Sequence, residues 1–403
     1  MRNFGIIKNG QANCGNSLND LTIIITVIMK TADNIITKSF KFRISKPSKT
    51  VQANLEQTLY LCRQLYNASL QERRDAYQIN RISINYQAQQ NQLPEIKQTN
   101  PEYKDIHSQV LQNVLKRCER AFDGFFRRIK AKQTAGFPRF KGQNRYDSFC
   151  YPQTGFSLTG DKLTLSKIGK VKIKLSRNVV GKIKTCTIKK EINNWFVIFT
   201  VETAPEILPE TGKHIGIDAG IENFATLSDG TQIDNWKYYE SSQKELRRAQ
   251  RSVSRKKKGG QNRKKAVLKL RKIHNRIKNR RADFQHKLST LLVKEFDLIV
   301  IEKLSILGMS RGILSKQIHD VSWSSFFNML DYKAANAGRQ LIKINPAFTS
   351  QTCICGHREK KSLSQRQHNC LKCGYSNHRD IVASEIILEA GLALLAQTKA
   401  VGL

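Results

Sequence analysis

Two short apolar runs, each ending in a single acid, restrict the fold of this chain more than any other feature. The run "IGID" ends at Asp218 and the run "LIVIE" ends at Glu302. A lone carboxylate in a buried strand is costly to desolvate unless it is paired or bound to a metal. A third acid, Asp380, begins the apolar helical stretch "DIVASEIILEAGLALL". There it could equally be a capping residue, because the helix dipole favours a carboxylate in the first turn.

Taken together, the three acids predict a metal site. Three carboxylates on two strands and a helix can hold two Mg²⁺ or Mn²⁺ ions about 4 Å apart, a pair that activates a water and stabilises the leaving oxygen in phosphodiester cleavage. Mg²⁺ suits sites that combine a few carboxylates with substrate phosphates. An Asp on a first strand beside a hairpin, a Glu on a fourth strand and an Asp on a late helix match the ribonuclease-H-like α/β fold. We therefore expect Asp218, Glu302 and Asp380 to be catalytic residues and magnesium ligands.

The charge of the chain indicates a polyanionic partner. Its 69 Lys and Arg residues outnumber its 32 Asp and Glu residues, which gives a net charge of +37. Such a surface concentrates polyanions, so nucleic acid is the first candidate, ahead of an anionic membrane or a ribosome. Between Leu246 and Arg281 the chain has 17 Lys or Arg residues and no acid. A face that is merely solvated normally mixes both signs, so this stretch favours contacts with phosphates.

The turn "KKKGGQNRKK" divides this basic stretch into two helical arms. We expect the phosphates of DNA or RNA to contact the basic side chains around the turn, which are Arg255, Lys256, Lys257, Lys258, Arg263, Lys264 and Lys265. Because each neutralised phosphate releases counterions, the binding should weaken steeply with salt.

Four of the nine cysteines lie within 21 residues, namely Cys353, Cys355, Cys370 and Cys373. In a basic chain without a secretion signal, such clustering favours metal binding in a reducing cytosol over disulfides. Four thiolates can hold a tetrahedral, structural Zn²⁺. Only Ile354 separates the first pair, where two residues are usual, so His357 or His368 could replace one ligand. Reduced structural cysteines are the alternative to a zinc site.

The periodicity of the sequence predicts an α+β chain of two domains. Residues 155–203 alternate apolar residues with Lys or Thr between turns, which predicts antiparallel strands with one wet, basic face. With a strand at 38–45 they could close a barrel, and helical periodicity predicts an insertion at about 51–135. We expect a β-barrel domain over 29–205 and an α/β nuclease domain over 206–403, the second including the basic helical pair 240–283 and the zinc-binding insert 349–376.

Residues 1–28 differ in composition from the rest of the chain. We expect them to be an extension that precedes a natural start at Met29, with an ordinary leader strand as the alternative. The longest apolar run, residues 21–29, has about half of the ~20 residues that a spanning helix needs, and Asp20 precedes it directly. We therefore expect no membrane partner, no secretion, and a cytoplasmic, nucleoid-associated location.

Aromatic and basic residues interleave between Phe137 and Tyr151. The aromatic ones are Phe137, Phe140, Tyr146, Phe149 and Tyr151, and the basic ones are Arg139, Lys141 and Arg145. Base stacking beside phosphate contacts uses such a mixture. Core packing explains the aromatic residues equally well, and the sequence leaves both interpretations open.

An ordered set of motifs resembles the OrfB, or TnpB, proteins of bacterial insertion sequences, which are relatives of the type V CRISPR effector nucleases. The motifs are "GIDAGIENFATLSDG", "RKKKGGQNRKK", "DFQHKLS", "IVIEKLSILGM", "TSQTC", a cysteine-rich segment that ends in "CLKCGY", and "RD" before the last helix. The resemblance spans roughly residues 38–390.

This resemblance implies an RNA-guided DNA endonuclease with a RuvC-like active site, encoded by a mobile element and usually labelled a transposase. The catalytic acids of the family fall on Asp218, Glu302 and Asp380. The resemblance also implies a wedge-like barrel with a helical recognition insert, which holds a guide RNA from the element and the target DNA. It leaves the oligomeric state open.

Two departures from the family keep other functions open. Val382 and Ile386 stand where the family usually has Asn, two and six residues after Asp380, and the first cysteine pair is one residue shorter than usual. A catalytically decayed protein of the same fold that still binds RNA and DNA is one alternative. A strand-transferring transposase, which would use the same acids to join DNA ends, is the other.

Overall fold

The computed structural model describes residues 35–143, 145–309, 312, 314–362 and 365–400. The expected extension at 1–28 and the expected start at Met29 lie outside these residues. The chain forms two compact units. The first contains residues 35–204 and 245–275, and the second contains 205–244 and the described part of 276–403. The first arm of the basic helical pair and part of the second therefore belong to the same unit as the predicted barrel strands.

The first unit is built on a seven-stranded antiparallel sheet with the strand order β2-β6-β7-β1-β5-β4-β3. Burial alternates along these strands, as the two-residue period of a sheet with one covered face requires. This sheet and the mixed helix and strand content fit the predicted barrel. The strands are β1 (Ile36–Ile44), β2 (Ser148–Tyr151), β3 (Phe156–Thr159), β4 (Lys162–Leu165), β5 (Gly169–Lys174), β6 (Lys182–Glu191) and β7 (Asn194–Thr203).

Helices fill the segment between β1 and β2, where the insertion was predicted. They are α1 (Lys49–Asn80), α2 (Tyr86–Asn91), α3 (Leu93–Thr99), a 3₁₀ turn (Pro101–Asp105) and α4 (Ser108–Lys130). The helix α1 begins after Ser48, whose hydroxyl accepts a hydrogen bond from the backbone N–H of Val51. It ends at Arg81, which adopts the left-handed conformation (φ 55°) that closes a helix. The buried stripes of α1 and α4 share one hydrophobic core with the sheet.

The aromatic residues that follow α4 divide into two groups. Tyr146, Phe149 and Tyr151 are buried in the core of the first unit, so core packing explains them. Phe137 and Phe140 are exposed and stay available for contacts with a ligand.

The second unit contains a five-stranded sheet with the order β10-β9-β8-β11-β12. Its first three strands form antiparallel hairpins, whereas β8, β11 and β12 run parallel to one another. A separate two-stranded ribbon is formed by β13 and β14. The strands are β8 (His214–Asp218), β9 (Asn223–Leu227), β10 (Gln232–Asp234), β11 (Leu298–Glu302), β12 (Gln340–Ile344), β13 (Gln367–Asn369) and β14 (Ser376–His378).

The helices in the second half of the chain are α5 (Tyr238–Ser241), α6 (Gln243–Ser254), α7 (Gln261–Glu295), α8 (Ile306–Met309), α9 (Ser315–Val321), α10 (Trp323–Ala337), a 3₁₀ turn (Thr349–Gln351) and α11 (Arg379–Ala400). The helix α10 packs Trp323, Phe326 and Leu330 into a core with Phe224 of β9 and Ile299 of β11. On the other core cluster of the sheet, α11 packs Ile387 among residues of β11 and β12.

The strand β8 and the helix α11 approach each other closely at Gly216. A Cβ atom on Gly216 would lie 2.2 Å from the carbonyl oxygen of Ser384 and 2.8 Å from the backbone nitrogen of Leu388. Only a residue without a side chain fits there. Since Gly216 is two residues before Asp218, and Ser384 is four residues after Asp380, this close packing fixes the distance between the backbones that carry the two acids.

By length and composition alone, α11 is apolar enough over Arg379–Thr398 to cross a membrane, and it is the one such helix in the part of the chain that the structure describes. The sequence analysis did not single it out. Helices in the cores of globular domains pass the same test, although only 28% of this window is buried. Since Val382, Ala383 and Ile387 are buried and the helix packs on the sheet, we interpret α11 as a core helix.

Candidate active site and cysteine cluster

Asp218 and Glu302 occupy equivalent positions on two neighbouring parallel strands. Ile217 of β8 pairs in register with Ile301 of β11, and each acid is the next residue of its strand. The apolar residues before both acids are buried, because parallel strands are covered on both faces. The helices and loops that cover the sheet no longer cover the carboxyl ends of these strands fully. Polar side chains can therefore be accommodated there.

Asp380 lies in the first turn of α11, the helix that packs against β8. The pKa of Asp218 shows that Glu302 and Asp380 are close enough to act on it electrostatically. Burial raises the pKa of Asp218 to about 7, and repulsion from Glu302 and Asp380 adds to the increase. The guanidinium of Arg379 and a hydrogen bond from the backbone of Ala219 act in the opposite direction without outweighing it. The raised pKa of Asp218 therefore comes mainly from burial, and repulsion between the carboxylates is the smaller contribution.

Glu302 has one hydrogen-bond partner that the sequence analysis missed. The hydroxyl of Thr349 donates to Oε1 of Glu302 at 2.5 Å. Burial raises the pKa of Glu302, and this hydrogen bond opposes the increase. Thr349 belongs to the "TSQTC" motif, which the sequence analysis had noted. Its hydrogen bond to Glu302 could not be predicted, because it depends on how the chain folds.

Two arginines that the sequence analysis did not select lie beside the acids. Arg366 forms an ion pair with Glu222, with Nη2 2.5 Å from Oε2, and its Nη1 is 4.0 Å from Oδ2 of Asp380. Arg379 donates to the backbone oxygen of Ser362. Its charge also lowers the pKa of Asp218. Both arginines place positive charge next to the carboxylates.

The cysteine cluster is the tightest group of potential metal ligands among the described residues. The sulfur atoms of Cys353, Cys355, Cys370 and Cys373 all lie within 4.8 Å of one another. In the described ranges no other set of three or more His, Cys, Asp or Glu is this compact, so the three acids are more widely spaced than the ligands of one small ion. Two cations about 4 Å apart need ligands spread over a wider area than a single ion does.

The short first turn of the cluster still brings its two cysteines into place. Gly356 has φ 78°, and its N–H donates to the carbonyl oxygen of Cys353. Gly374 has φ 72° and makes the same bond to Cys370. A glycine with positive φ therefore closes each turn, and the missing residue between Cys353 and Cys355 does not prevent the four sulfurs from meeting.

One thiol of the cluster is prepared to be a thiolate. The backbone N–H groups of Cys373 and Lys372, together with thiol contacts with Cys373 and Cys353, outweigh the effect of burial and lower the pKa of Cys370 to about 6. The thiolate is the form that binds a metal. Four cysteine sulfurs in this arrangement could bind a zinc ion. The histidines His357 and His368, which the sequence left open as replacement ligands, are not part of the group.

The cluster is tied to the helix that carries Asp380. The hydroxyl of Tyr375 donates to the carboxylate of Glu385 in α11, at 2.9 Å from Oε2. The backbone N–H of Cys370 donates to the carbonyl oxygen of Tyr375. Through these contacts the position of the cluster and the position of the first turn of α11 depend on each other.

The seven predicted phosphate-binding residues lie in the turn that follows α6 and at the start of α7. They belong to the first unit, whereas the three acids belong to the second. Five of them are exposed and two are half-buried, and in the described part of the chain none of the seven forms an ion pair. The exposed ones are Arg255, Lys257, Lys258, Lys264 and Lys265, and the half-buried ones are Lys256 and Arg263.

Three family models match the chain. A model described as "Probable transposase" (OrfB_IS605) matches residues 198–312, and a "Cas12f1-like, TNB domain" model matches residues 323–387, which include the cysteine cluster. A "Helix-turn-helix domain" model of the OrfB family matches residues 34–81. In the described residues 35–81 the structure has the strand β1 and the single long helix α1.

Two relatives share the description "Putative RNA-guided DNA endonuclease". InsQ of Escherichia coli K12 is 33% identical over 89% of this chain and 93% of its own length. A protein of Streptomyces pristinaespiralis is 35% identical over 90% of this chain and 91% of its own. The chain belongs to the OrfB/TnpB family of transposon-encoded proteins.

Among solved structures, one of CasPhi-2 (Cas12j) bound to crRNA aligns with 89% of this chain and 98% of its own. The sequence identity is 10% and the TM-score is 0.45.

Proposed function

We propose that this protein is an RNA-guided, Mg²⁺-dependent DNA endonuclease of a mobile element, with a RuvC-like active site formed by Asp218, Glu302 and Asp380. The observation that carries the proposal is the placement of Asp218 and Glu302 at the carboxyl ends of β8 and β11, each directly after the paired residues Ile217 and Ile301, with Asp380 within electrostatic range. The descriptions of the E. coli and Streptomyces relatives support the endonuclease activity.

The topology of the second unit supports a ribonuclease-H-like fold. If its five strands are numbered by their order in the chain, their order across the sheet is 3-2-1-4-5. Strands 1, 2 and 3 are antiparallel neighbours, and strands 4 and 5 run parallel to strand 1. The acids then fall on the first strand, the fourth strand and a late helix. This is the arrangement that the sequence analysis expected of that fold.

The residues present suit magnesium. Carboxylate oxygens are its preferred ligands, and a divalent cation would offset both the burial of Asp218 and the repulsion from Glu302 and Asp380 that raise its pKa. Mg²⁺ bound by Asp218, Glu302 and Asp380 would supply activation of a water and stabilisation of the leaving oxygen. Thr349 orients the carboxylate of Glu302 through its hydroxyl. Arg366 and Arg379 provide positive charge for the substrate phosphate beside the acids.

The other expected partners follow from the remaining features. The four cysteines hold a structural Zn²⁺ that leaves no open position for water, since all four ligands come from the protein. The exposed basic turn between α6 and α7 contacts the phosphates of the guide RNA or the DNA. A protein that acts on DNA together with an RNA of its element would work in the cytoplasm, at the nucleoid.

The test is a cleavage reaction with protein purified together with RNA expressed from its own element. Sequencing the RNA that co-purifies identifies the guide, and a DNA target matched to that guide is then incubated with Mg²⁺. We expect cleavage by the wild type and loss of cleavage with retained DNA binding in Asp218→Asn. The control is Asp234→Asn, which changes an exposed acid of β10 in the same sheet and should cleave normally.

The same reaction separates the alternatives. Binding of RNA and DNA without cleavage by the wild type would identify a decayed nuclease, for which Val382 and Ile386 in place of Asn would be the cause. Joined DNA ends would identify a strand-transferring transposase. Cleavage that survives Asp218→Asn would contradict the proposed active site.

A further inference from the structure

A cavity of about 710 Å³ lies among the inserted helices of the first unit, lined by residues of α1, α4 and the segments that follow each helix. This volume falls within the range of roughly 300–1,000 Å³ that is typical of sites for small ligands. Five aromatic rings line it, namely Tyr77, Phe122, Phe125, Phe126 and Phe137. None of the three acids or the four clustered cysteines belongs to this unit, so the cavity is separate from the sites described above.

The rings are held in place by one another and yet stay open to solvent. The centroid of Phe137 lies 5.5 Å from that of Phe122 and 5.4 Å from that of Phe125, both with nearly perpendicular rings. Phe126 is 59% exposed, Tyr77 is 56% exposed and Phe137 is 46% exposed. A group of large aromatic side chains that is ordered but not covered is typical of a binding surface.

A buried arginine at this cavity lacks one hydrogen-bond acceptor. Arg73 is only 7% exposed, and it donates from Nε to Gln89 at 2.8 Å and from Nη1 to Glu119 at 2.5 Å. Its Nη2 is buried and has no partner in the part of the chain that the structure describes. A buried N–H group without an acceptor is costly, so a ligand that presents a carbonyl oxygen or a ring nitrogen would be favoured here.

The charges around the cavity favour an anionic ligand. Arg74 and Arg81 are exposed at its lining, and the guanidinium of Arg81 lies over the ring of Tyr77 at 5.6 Å. Of the two acids at the cavity, Glu119 is already paired with Arg73, which leaves Asp123 as the other negative group. Planar aromatic surfaces combined with arginines are the features by which proteins bind single-stranded nucleic acid.

We propose that this cavity binds an unpaired nucleobase of a single strand. The base stacks on the exposed rings of Phe126 and Phe137, and its edge accepts a hydrogen bond from Nη2 of Arg73. Arg74 and Arg81 contact the flanking phosphates. The strand is RNA or DNA, since both present the same base faces. The inference rests on the proposed function only for the presence of nucleic acid, and it does not require cleavage.

The experiment measures the affinity of the full-length protein for three labelled 12-mers, in EDTA so that no cleavage can occur. The probes are oligouridine RNA, oligothymidine DNA and an abasic deoxyribose-phosphate strand of the same length. We expect the wild type to bind at least one base-bearing strand about tenfold more tightly than the abasic strand. The double variant F126A/F137A should lose most of this difference, while its affinity for the abasic strand stays unchanged.

The control is Tyr60→Ala, which removes an exposed aromatic side chain of the same helix α1 that does not line the cavity. It should keep the preference for base-bearing strands, as should the conservative variant Phe137→Tyr. Thermal melting verifies that all variants are folded, which is expected because Phe126 and Phe137 are half exposed. A preference for RNA over DNA would identify the guide as the source of the base, and the reverse preference would identify a separated DNA strand.

A double variant that keeps the full difference between base-bearing and abasic strands would overturn the proposal. The same holds if 4-thiouridine in the RNA probe and 4-thiothymidine in the DNA probe both form photo-crosslinks only outside residues 70–140. Both results are independent of the nuclease, because a protein without cleavage activity could still bind the base. Conversely, an active nuclease whose F126A/F137A variant binds normally would refute only the cavity.

Discussion

Thr349 donates its hydroxyl hydrogen to Oε1 of Glu302. Partners of this kind orient metal ligands, and their loss typically costs about 10- to 100-fold in metal affinity or activity. We therefore expect Thr349→Val, which keeps the shape of the side chain, to cleave DNA about 10-fold more slowly and to need more Mg²⁺.

The measurement is the cleavage rate over a range of Mg²⁺ concentrations. Thr349→Ser should recover most of the rate, and Thr352→Val, whose hydroxyl donates to a backbone oxygen instead, should behave as the wild type. Equal Mg²⁺ dependence of Thr349→Val and the wild type would rule out this role.

Gly216→Ala should destabilise the second unit. The added Cβ would lie 2.2 Å from the carbonyl oxygen of Ser384, so β8 and α11 must move apart. Overpacking of this kind costs about 1–3 kcal/mol. The matched control is Gly124→Ala in the middle of α4, where no atom lies within 4 Å of the added Cβ. That change should stabilise by about 0.5–1 kcal/mol, because Ala is the better helix residue. Urea unfolding measures both, and a neutral Gly216→Ala would contradict the close contact.

Removal of the metal from the cysteine cluster should lower the stability of the protein. We expect one equivalent of zinc per chain by elemental analysis, a lower melting temperature after treatment with a strong chelator, and recovery when zinc is added back. Cys370→Ser should bind less than half as much zinc. The control is Cys150→Ser, which changes a cysteine of β2 outside the cluster and should keep a full equivalent. Zinc content that is the same in both variants would remove the cluster as the binding site.

The stability of the second unit should fall in acid because of Asp297. Burial alone would raise the pKa of Asp297, but the backbone N–H groups of Thr211 and Gly212, the hydroxyl of Thr211 and the guanidinium of Arg339 hold it below its ordinary value of 3.8. A carboxyl group with a lowered pKa stabilises the folded state above its unfolded pKa and loses this contribution as the pH falls through the folded pKa. The effect is therefore complete at neutral pH and is lost below about pH 4.

Asp297→Asn tests this expectation. Arg339 is buried and would lose its ion pair, so the variant should be less stable at pH 7 by about 3 kcal/mol. The difference from the wild type should shrink as the pH is lowered from 5 to 3, in urea unfolding at each pH. Asp331→Asn breaks an exposed pair with Lys343 and should cost less than about 1 kcal/mol. A difference for Asp297→Asn that is constant with pH would exclude the charge of Asp297 as the cause.

The basic turn predicts a defined dependence of DNA binding on salt. Replacing Lys256, Lys257 and Lys258 with Gln should reduce the slope of log K against log salt by about 2 to 3, since each phosphate contact contributes about 0.9 for duplex DNA. The measurement is the dissociation constant at several salt concentrations. Lys343→Gln is the control, because Asp331 already neutralises this lysine within the protein. An unchanged slope in the triple variant would place the phosphate contacts elsewhere.

Much of the architecture could be predicted from local patterns. Helical periodicity predicted a helical insertion at about 51–135, and the structure has its two long helices there, at 49–80 and 108–130. The apolar runs before Asp218 and Glu302 predicted buried strands, and the strands pair in parallel with the acids at equivalent positions. These features could be found because a period of 2 or 3.6 residues is written directly in the sequence.

The neighbours of the acids could not be predicted in this way. Thr349 and Arg366 come from loops and short elements whose approach to Glu302 and Asp380 depends on how the chain folds back. Cys353 and Cys355 reach the second cysteine pair because Gly356 adopts a positive φ. The spacing of the cysteines alone does not reveal this. The open aromatic cavity also required the structure, because interleaved aromatic residues look the same whether they are buried or exposed.

The third acid, Asp380, is 162 residues after the first, near the end of the chain and on the helix that closes one side of the sheet. Under the proposed mechanism, a polypeptide that stops before this helix would retain its positively charged arms and its aromatic cavity. Such a shortened copy would compete for RNA and DNA without breaking either, because it would lack one of the three carboxylates.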